Sequence, residues 1–289
     1  MIPPSFEYFR PKTIPEAIAL LQQHGDDAKI LSGGQSLIPM MKLRLARPGY
    51  LIDINRIAGL SHINEEGGHL KIGGLTREAE LEASPVVRAK YPIIVDTARV
   101  IADPQVRNLA TVGGNLAHGD PANDHPATMV ALGAQVVATG PKGERIIPIE
   151  DFFLSLFSTA LQHDEILTEI RIPIPPPRSG GAYLKLERKV GDFATAAVAV
   201  QLTLDEKGAC QKVGIGLTNV GPTPVKAKKA EDFLRGKKLD EANIKQAAQL
   251  AADGSEPSAD LRGPVAYKKA LVKELTKRAL TRASERASK

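Results

Sequence analysis

The chain contains two similar stretches, Ser32-Gly33-Gly34-Gln35-Ser36 and Thr111-Val112-Gly113-Gly114-Asn115, about eighty residues apart. Each places two adjacent glycines among small hydroxyl or amide side chains. Glycine permits positive φ angles and lets a ligand approach the main chain closely. Successive N–H groups in such a turn can line a concavity that holds phosphate oxygens. We call Ser32–Leu37 the first glycine motif and Thr111–Asn115 the second, and together they predict two halves of one diphosphate site.

The spacing of both motifs excludes two common phosphate-binding sites. Neither has the G-x-x-x-x-G-K-[ST] pattern of a P-loop, and neither is a G-x-G-x-x-G stretch that opens a long helix, as in a Rossmann dinucleotide site. Glycine pairs also mark ordinary tight turns between strands. Taken alone, either motif is equally consistent with such a turn.

Length and composition are those of an ordinary globular protein. The 289 residues are enough for two domains, and the hydrophobic and charged fractions are 43% and 25%. No apolar run approaches the length of a membrane span. The N-terminus has no basic segment followed by an apolar one, as a signal peptide would. We therefore expect a cytoplasmic protein without a membrane span.

Cysteine content and charge distribution limit the function further. Cys210 is the only cysteine, so this chain has neither an internal disulfide nor the usual four-cysteine set for an iron–sulfur cluster. Residues 207–289 hold 18 Lys+Arg and 9 Asp+Glu, so the C-terminal part is basic. Few aromatic residues and interspersed acids argue against a nucleic-acid partner. A solvated helical surface, or a basic face for an acidic partner subunit, explains the charge better.

The hydrophobic pattern predicts a first domain over 1–177, with lobes at about 1–56 and 57–177. In the first lobe, Thr13 and Glu16 form a capping-box pattern before a helix that ends at Gly25. In the second lobe, Pro92 interrupts a helical pattern over 85–101. Strand patterns occupy 29–31, 50–54, 70–74, 134–139, 145–149 and 165–172.

A proline-rich linker at 173–181 precedes a second domain, 178–289. Three strand patterns follow, at 182–188, 194–204 and 209–219, and then helical patterns at 224–234, 240–252 and 264–286. The prediction for this domain is a three-stranded antiparallel sheet with a helical bundle.

Three stretches resemble motifs of the FAD-binding medium subunits in the molybdenum hydroxylase (xanthine dehydrogenase) family. They are Ile30–Pro39, Ala110–Asp124 and Lys185–Ala194. The resemblance runs from Ile2 to the last helix and is strongest to the carbon monoxide dehydrogenase branch. It implies an α+β chain: a two-lobed PCMH-type FAD-binding domain, followed by a C-terminal domain of the carbon monoxide dehydrogenase flavoprotein type.

The resemblance also implies the residues that hold FAD. Both glycine motifs would grip the diphosphate, and Asp124 would face the ribityl or ribose hydroxyls. Lys185 matches a basic residue near the flavin. Phe193 stands where carbon monoxide dehydrogenases usually have a tyrosine, and its ring would either stack near the isoalloxazine or pack in the core. Ile101 and Leu167 match apolar positions against the ring or adenine. The implied set is Ser32, Gly33, Gly34, Gln35, Ser36, Leu37, Ile101, Thr111, Val112, Gly113, Gly114, Asn115, Asp124, Leu167, Lys185 and Phe193.

The activity implied by the resemblance is electron transfer. FAD on this chain would receive electrons from [2Fe-2S] clusters on a small partner subunit and pass them to an external acceptor such as quinone. A large subunit with a molybdenum-pterin cofactor would oxidise the substrate, in a dimer of heterotrimers that can lie at the inner face of the membrane. No acid–base catalytic residue and no metal ligand is expected here, although His118, Asp120, Asp124 and His125 lie close in sequence.

Other functions remain open from the sequence alone. Medium subunits of aldehyde, nicotinate and quinoline hydroxylases share these motifs. A free-standing FAD oxidoreductase would need a base beside the flavin, and no such constellation stands out. A non-enzymatic nucleotide-binding module would use the glycine motifs for another phosphate compound.

Overall fold

The computed structural model describes residues 2–289. Its first lobe is a three-stranded parallel sheet in the order β1-β3-β2, covered by helix α1. Thr13 caps the start of α1, and Gly25 ends the helix at φ 54°, as the sequence predicts. The elements are β1 (Glu7–Phe9), α1 (Ile14–His24), β2 (Ala28–Leu31), α2 (Leu37–Lys42) and β3 (Tyr50–Asp53).

The second lobe is a five-stranded antiparallel sheet in the order β4-β5-β10-β6-β7, packed against short helices. Pro92 divides the predicted long helix into α4 and α5. The elements are β4 (Ile63–Glu66), β5 (His69–Gly73), α3 (Glu78–Ala83), α4 (Pro85–Lys90), α5 (Pro92–Arg99), α6 (Pro104–Arg107), α7 (Val112–Ala117), α8 (Asp124–Leu132), β6 (Gln135–Gly140), β7 (Gly143–Pro148), β8 (Phe153–Ser155), β9 (Ser158–Thr159) and β10 (Ile166–Pro173).

The C-terminal part is an antiparallel sheet followed by three helices. The three predicted strands are present, and a two-residue strand extends the sheet to the order β11-β12-β13-β14. The elements are β11 (Ser179–Leu186), β12 (Ala196–Leu204), β13 (Cys210–Thr218), β14 (Val225–Lys226), α9 (Lys228–Leu234), α10 (Glu241–Asp253) and α11 (Val265–Ala287). The linker between β10 and β11 is shorter than predicted, because both strands extend into the proline- and glycine-containing segment.

The C-terminal sheet lies between two cores. One face joins the core of the second lobe, where the backbone of β13 packs tightly on α8. An ideal Cβ on Gly216 would lie 2.0 Å from the carbonyl oxygen of Ala127, so only glycine allows this contact. The other face packs on α9 and α11, and α10 packs on these two helices within the same core. Through this sheet, Lys185 and the following loop reach the edge of the second lobe.

Within residues 2–289, none of the helices is both long enough and apolar enough to span a membrane.

Candidate functional site

A cavity of about 900 Å³ opens between the two lobes and reaches the C-terminal sheet. Its walls include residues of both glycine motifs, the start of β10 and the loop that follows β11. Cofactor pockets typically measure roughly 300–1,000 Å³. The cavity therefore has the size expected for an extended, dinucleotide-sized ligand.

The first glycine motif forms a loop that leads from β2 into α2. Gly34 has φ 71°, a conformation that glycine adopts without the strain of a side chain. The side-chain amide of Gln35 donates to the carbonyl of Gly33 over 3.2 Å and holds the loop in shape. Among residues 2–289, no acceptor faces the backbone N–H groups of 33–37. These donors lie at the cavity and are available to an anion.

The second glycine motif is the start of a helix, which corrects the prediction of a turn. Thr111 is the N-cap of α7, and its hydroxyl accepts from the N–H of Gly114 over 3.1 Å. The N–H of Val112 donates to Thr76 O, and that of Gly113 donates to Gly74 O. Neither glycine has a positive φ. The backbone donors of this motif are thus largely used inside the protein.

Close packing, rather than an unusual φ, requires glycine in the second motif. An ideal Cβ on Gly113 would lie 2.5 Å from the carbonyl oxygen of Gly74, at the end of β5. An ideal Cβ on Gly114 would lie 2.7 Å from the hydroxyls of Ser32 and Thr111. The missing side chains allow α7 to approach the sheet and the first motif.

The two motifs touch each other. The hydroxyls of Ser32 and Thr111 are 3.1 Å apart. An ideal Cβ on Gly33 would lie 2.5 Å from the carbonyl oxygen of Leu109 and 2.8 Å from Cα of Ala110. The two glycine motifs, about eighty residues apart in sequence, therefore meet in the fold.

One polar atom of the second motif has no partner. The side-chain Oδ1 of Asn115 is buried and makes no hydrogen bond within residues 2–289. Asn115 lines the cavity. Because buried polar atoms are rarely left unpaired, this side-chain oxygen is a candidate acceptor for a hydrogen bond from a bound ligand.

Apolar side chains line other parts of the cavity. Ile101 and Leu167 are each 7% exposed and contribute to its wall, as does Leu37 at the start of α2. Phe193 also lines it and is 47% exposed, so it belongs to the rim rather than to the core.

A charged cluster lies where the cavity meets the C-terminal sheet. Lys185 Nζ is 3.0 Å from Asp124 Oδ2 and 3.3 Å from Glu187 Oε2, and its side chain is only 3% exposed. The hydroxyl of Tyr183 donates to Asp124 Oδ1 over 2.5 Å. Burial raises the pKa of the Asp124 carboxyl, and the Lys185 ammonium opposes that shift. Both Asp124 and Lys185 line the cavity.

Comparison with known proteins places the chain in a family. Residues 4–175 match the model described as FAD binding domain in molybdopterin dehydrogenase, and residues 181–283 match the CO dehydrogenase flavoprotein C-terminal domain. The chain belongs to the FAD-binding subunits of the molybdenum hydroxylases.

Individual relatives extend over the whole chain. The carbon monoxide dehydrogenase medium chain of Hydrogenophaga pseudoflava is 48% identical, with 100% of both chains covered. That of Afipia carboxidovorans is also 48% identical, with 99% of both covered. A chain in the solved structure of the Hydrogenophaga pseudoflava carbon monoxide dehydrogenase that lacks the Mo-pyranopterin moiety of its molybdenum cofactor superposes with a TM-score of 0.96, at 49% identity and 99% coverage of both chains. These relatives are subunits of oxidoreductases.

The residues of this FAD-binding subunit fit the cofactor that its family name implies. The first glycine motif offers unpaired backbone donors to a diphosphate, and the unpaired side-chain oxygen of Asn115 can accept a hydrogen bond from a hydroxyl of the cofactor. Gly33 leaves room where the two motifs meet. Apolar walls at Ile101 and Leu167 suit the flat faces of aromatic rings.

Fifteen of the sixteen predicted site residues line the cavity. Val112 is the exception, since its side chain is fully buried in the core of the second lobe. The prediction omitted residues of several loops and of β9, including Ala102, Phe157, Thr159, Gln162, Gly191 and Asp192. Phe157, with φ 56° and its ring beside that of His118, occupies the tip of the β8–β9 hairpin. Gly191 and Asp192 lie within the Lys185–Ala194 stretch that resembles a family motif, whereas no local sequence pattern distinguishes the others from ordinary loop residues.

The four residues considered for a metal site bind different partners. His125 Nε2 is 2.6 Å from Glu78 Oε2, and both side chains are fully buried. Asp120 accepts from the N–H of Ala122, and His118 packs against Phe157. Across residues 2–289, no three His, Cys, Asp or Glu side chains are grouped as a metal site would require.

Cys210 is fully buried, and burial raises the pKa of its thiol to about 11. Such a thiol is unreactive.

Proposed function

We propose that this chain is the FAD-carrying electron-transfer subunit of a molybdenum hydroxylase of the carbon monoxide dehydrogenase type. The observation that carries the proposal is the cavity in which both glycine motifs meet, within a chain that matches carbon monoxide dehydrogenase medium chains over its full length.

In this proposal the first glycine motif binds the FAD diphosphate through the backbone N–H groups of residues 33–37, together with the side-chain hydroxyl of Ser36. Thr111 and Asn115 of the second motif add side-chain hydrogen bonds, while Val112 only holds α7 in place. Ile101 and Leu167 provide apolar contacts. The Asp124–Lys185 pair and Phe193 stand at the C-terminal side of the cavity, where they bind the remaining parts of the cofactor.

The bound FAD supplies the ability to collect single electrons and release them in pairs. This chain positions it, keeps its polar groups paired and shields it from water. A small partner subunit with [2Fe-2S] clusters supplies the electrons, and a large partner with the molybdenum-pterin cofactor oxidises the substrate. We propose quinone as the acceptor, a dimer of heterotrimers as the assembly, and the cytoplasm, at the inner membrane face, as the location. We propose that the FAD-binding domain ends at residue 177 and that the C-terminal domain begins at residue 178.

The test begins with the purified full-length chain. We expect it to bind FAD stoichiometrically, with a flavin absorption spectrum, and to oxidise no molybdenum-hydroxylase substrate by itself. Activity with carbon monoxide should appear only when the iron–sulfur and molybdenum subunits are added.

Each alternative has its own outcome. Substrate-dependent dye reduction by the chain alone, free of other subunits, would favour a free-standing oxidoreductase. Activity of the assembled complex with an aldehyde, nicotinate or quinoline, but not with carbon monoxide, would reassign the substrate and leave the subunit role intact. A chain that binds no flavin would contradict the proposal itself.

A further inference from the structure

Asn55, which follows β3, is fixed to the first glycine motif. Its side-chain Nδ2 donates to the carbonyl of Ser32 over 2.8 Å and to Asp53 Oδ1 over 2.7 Å. The Ser32 carbonyl immediately precedes Gly33. Asn55 therefore holds the beginning of the first motif in the first lobe.

Arg77, which precedes α3, joins Asn55 to the segment before the second glycine motif. Its Nη2 donates to Asn55 Oδ1 over 2.6 Å, and its Nη1 donates to the carbonyl of Leu109. That carbonyl is the atom nearest to the missing side chain of Gly33. A continuous chain of hydrogen bonds thus runs from Ser32 through Asn55 and Arg77 to Leu109, and both its ends lie where the two motifs touch.

The guanidinium of Arg77 has neutral acceptors. Among residues 2–289, no carboxylate lies within ion-pair distance of it, although the charges of Glu80 and Asp53 act on it from further away. Arg77 is only partly exposed and does not line the cavity. Its planar group presents several N–H donors in a fixed arrangement, so one side chain can tie two carbonyl groups at a set separation.

We propose that Asn55 and Arg77 form a brace that fixes the separation of the two glycine motifs, and that both are positioning residues for the cofactor diphosphate. This inference rests on the proposed function, because it assumes that the cavity binds FAD. Binding to a preformed site avoids the cost of ordering the site when the ligand arrives. The brace provides that order before FAD binds, and the positive charge of Arg77 favours the anionic group.

The experiment measures FAD dissociation constants, by quenching of flavin fluorescence, for the apo forms of the full-length chain. We expect Arg77→Ala to weaken FAD binding by roughly tenfold to a hundredfold, as for loss of hydrogen bonds from a charged group. Asn55→Ala keeps the charge but removes the link, and should weaken binding by roughly threefold to tenfold. Arg77→Lys keeps the charge without the two-pronged geometry and should remain clearly weaker than wild type.

Two further readouts separate a brace from a merely structural role. The melting temperature of the apo variants should stay near that of wild type, while the increase caused by FAD should shrink. The ³¹P resonances of bound FAD should shift in Asn55→Ala. The matched control is Arg88→Ala, which removes an exposed arginine that donates to the Glu82 carbonyl and should leave affinity and ³¹P resonances unchanged.

Several results would overturn the brace. One is wild-type affinity in both Asn55→Ala and Arg77→Ala. Another is full recovery in Arg77→Lys, which would reduce the role of Arg77 to its charge. If Arg77→Ala does not fold, Asn55→Ala and Arg77→Lys still decide the question. Failure of the wild-type chain to bind FAD would instead refute the proposed function, before any variant is compared.

Discussion

The loop at Ser32–Leu37 and the helix start at Thr111–Asn115 both contain two adjacent glycines, but they use their backbones differently. The loop has one glycine, Gly34, at positive φ, and its N–H groups at 33–37 have no acceptor among residues 2–289. The helix start has no positive φ in its glycines, and most of its N–H groups are paired. It presents to the cavity the hydroxyl of Thr111 and the unpaired side-chain oxygen of Asn115. The following helix, α8, adds the buried carboxylate of Asp124.

From this difference we propose that the first glycine motif serves mainly binding and the second mainly packing. The first motif supplies main-chain donors, which suit the spread charge of a diphosphate. The second motif brings the first into position by allowing close contact, and its side chains complete the site. If this division is correct, substitutions in the first motif should affect FAD affinity, and substitutions in the second should affect stability or single hydrogen bonds.

The largest effect is expected for Gly33→Ala. The new Cβ would lie 2.5 Å from Leu109 O, a backbone atom that cannot move aside without separating the motifs. We expect a loss of FAD affinity of about a hundredfold, equivalent to about 3 kcal/mol. The measurement is the flavin content per purified chain, read from the absorbance of the flavin released from the protein. Gly254→Ala, whose Cβ would have ordinary contacts, is the control. Full flavin content in Gly33→Ala would show that the motifs can separate without loss of the site.

Gly113→Ala should instead lower stability. Its Cβ would meet the backbone of Gly74 at 2.5 Å, inside the packed second lobe. Overpacking of this kind costs about 2 kcal/mol, and we expect that decrease in the free energy of unfolding of the apo chain in urea. The folded protein should keep an FAD affinity within about threefold of wild type. Unchanged stability together with lost flavin would contradict the division between the motifs.

Local sequence patterns predicted the features of the fold that depend on neighbouring residues. Thr13 and Gly25 delimit α1, Pro92 breaks a helix, and alternation marks β10, because each signal acts over a few residues. The helical state of Gly113 was missed because it depends on contact with Gly74, far away in sequence. The short strands β1, β4, β8, β9 and β14 were also missed, since their few residues have no distinct period and gain stability from the sheets they join.

The same reason explains the outcome at the site. The glycine motifs and Lys185 were predicted because their neighbours resemble family motifs. The brace at Asn55 and Arg77 was not, because neither residue stands out in sequence and their meeting depends on how the lobes pack.

Asn115→Ala tests the side-chain contribution of the second motif. The substitution removes a buried oxygen that has no partner in residues 2–289, so the apo chain should keep its stability or gain slightly. FAD affinity should fall by roughly threefold to tenfold, the value of one hydrogen bond of about 1 kcal/mol. Titration of apo protein with FAD and urea unfolding measure the two effects. A destabilised apo chain with normal affinity would show that Asn115 serves the fold rather than the ligand.

The smallest effect is expected for Lys185→Met, which tests the charges beside the second motif. Lys185 is paired with Asp124 and Glu187, so its removal leaves an excess of negative charge. Burial already raises the pKa of Asp124, and loss of the Lys185 ammonium raises it further. At pH values below that new pKa, Asp124 takes up a proton and the net charge equals that of wild type. At higher pH it stays ionised, and the extra negative charge disfavours reduction of bound FAD.

The midpoint potential of FAD in Lys185→Met should therefore match that of wild type at low pH and fall below it as pH rises, by about 15 mV, or about 0.7 kcal/mol for two electrons. Spectroelectrochemical titration over a pH series measures the difference. Lys189→Met removes an exposed lysine on the neighbouring loop and should show no such pH dependence. A decrease that is constant with pH would show that Asp124 stays ionised throughout, against the proton uptake argued above. No difference at any pH would separate Lys185 from the flavin, and would leave the main-chain donors of the first motif as the principal electrostatic contribution of this chain to its cofactor.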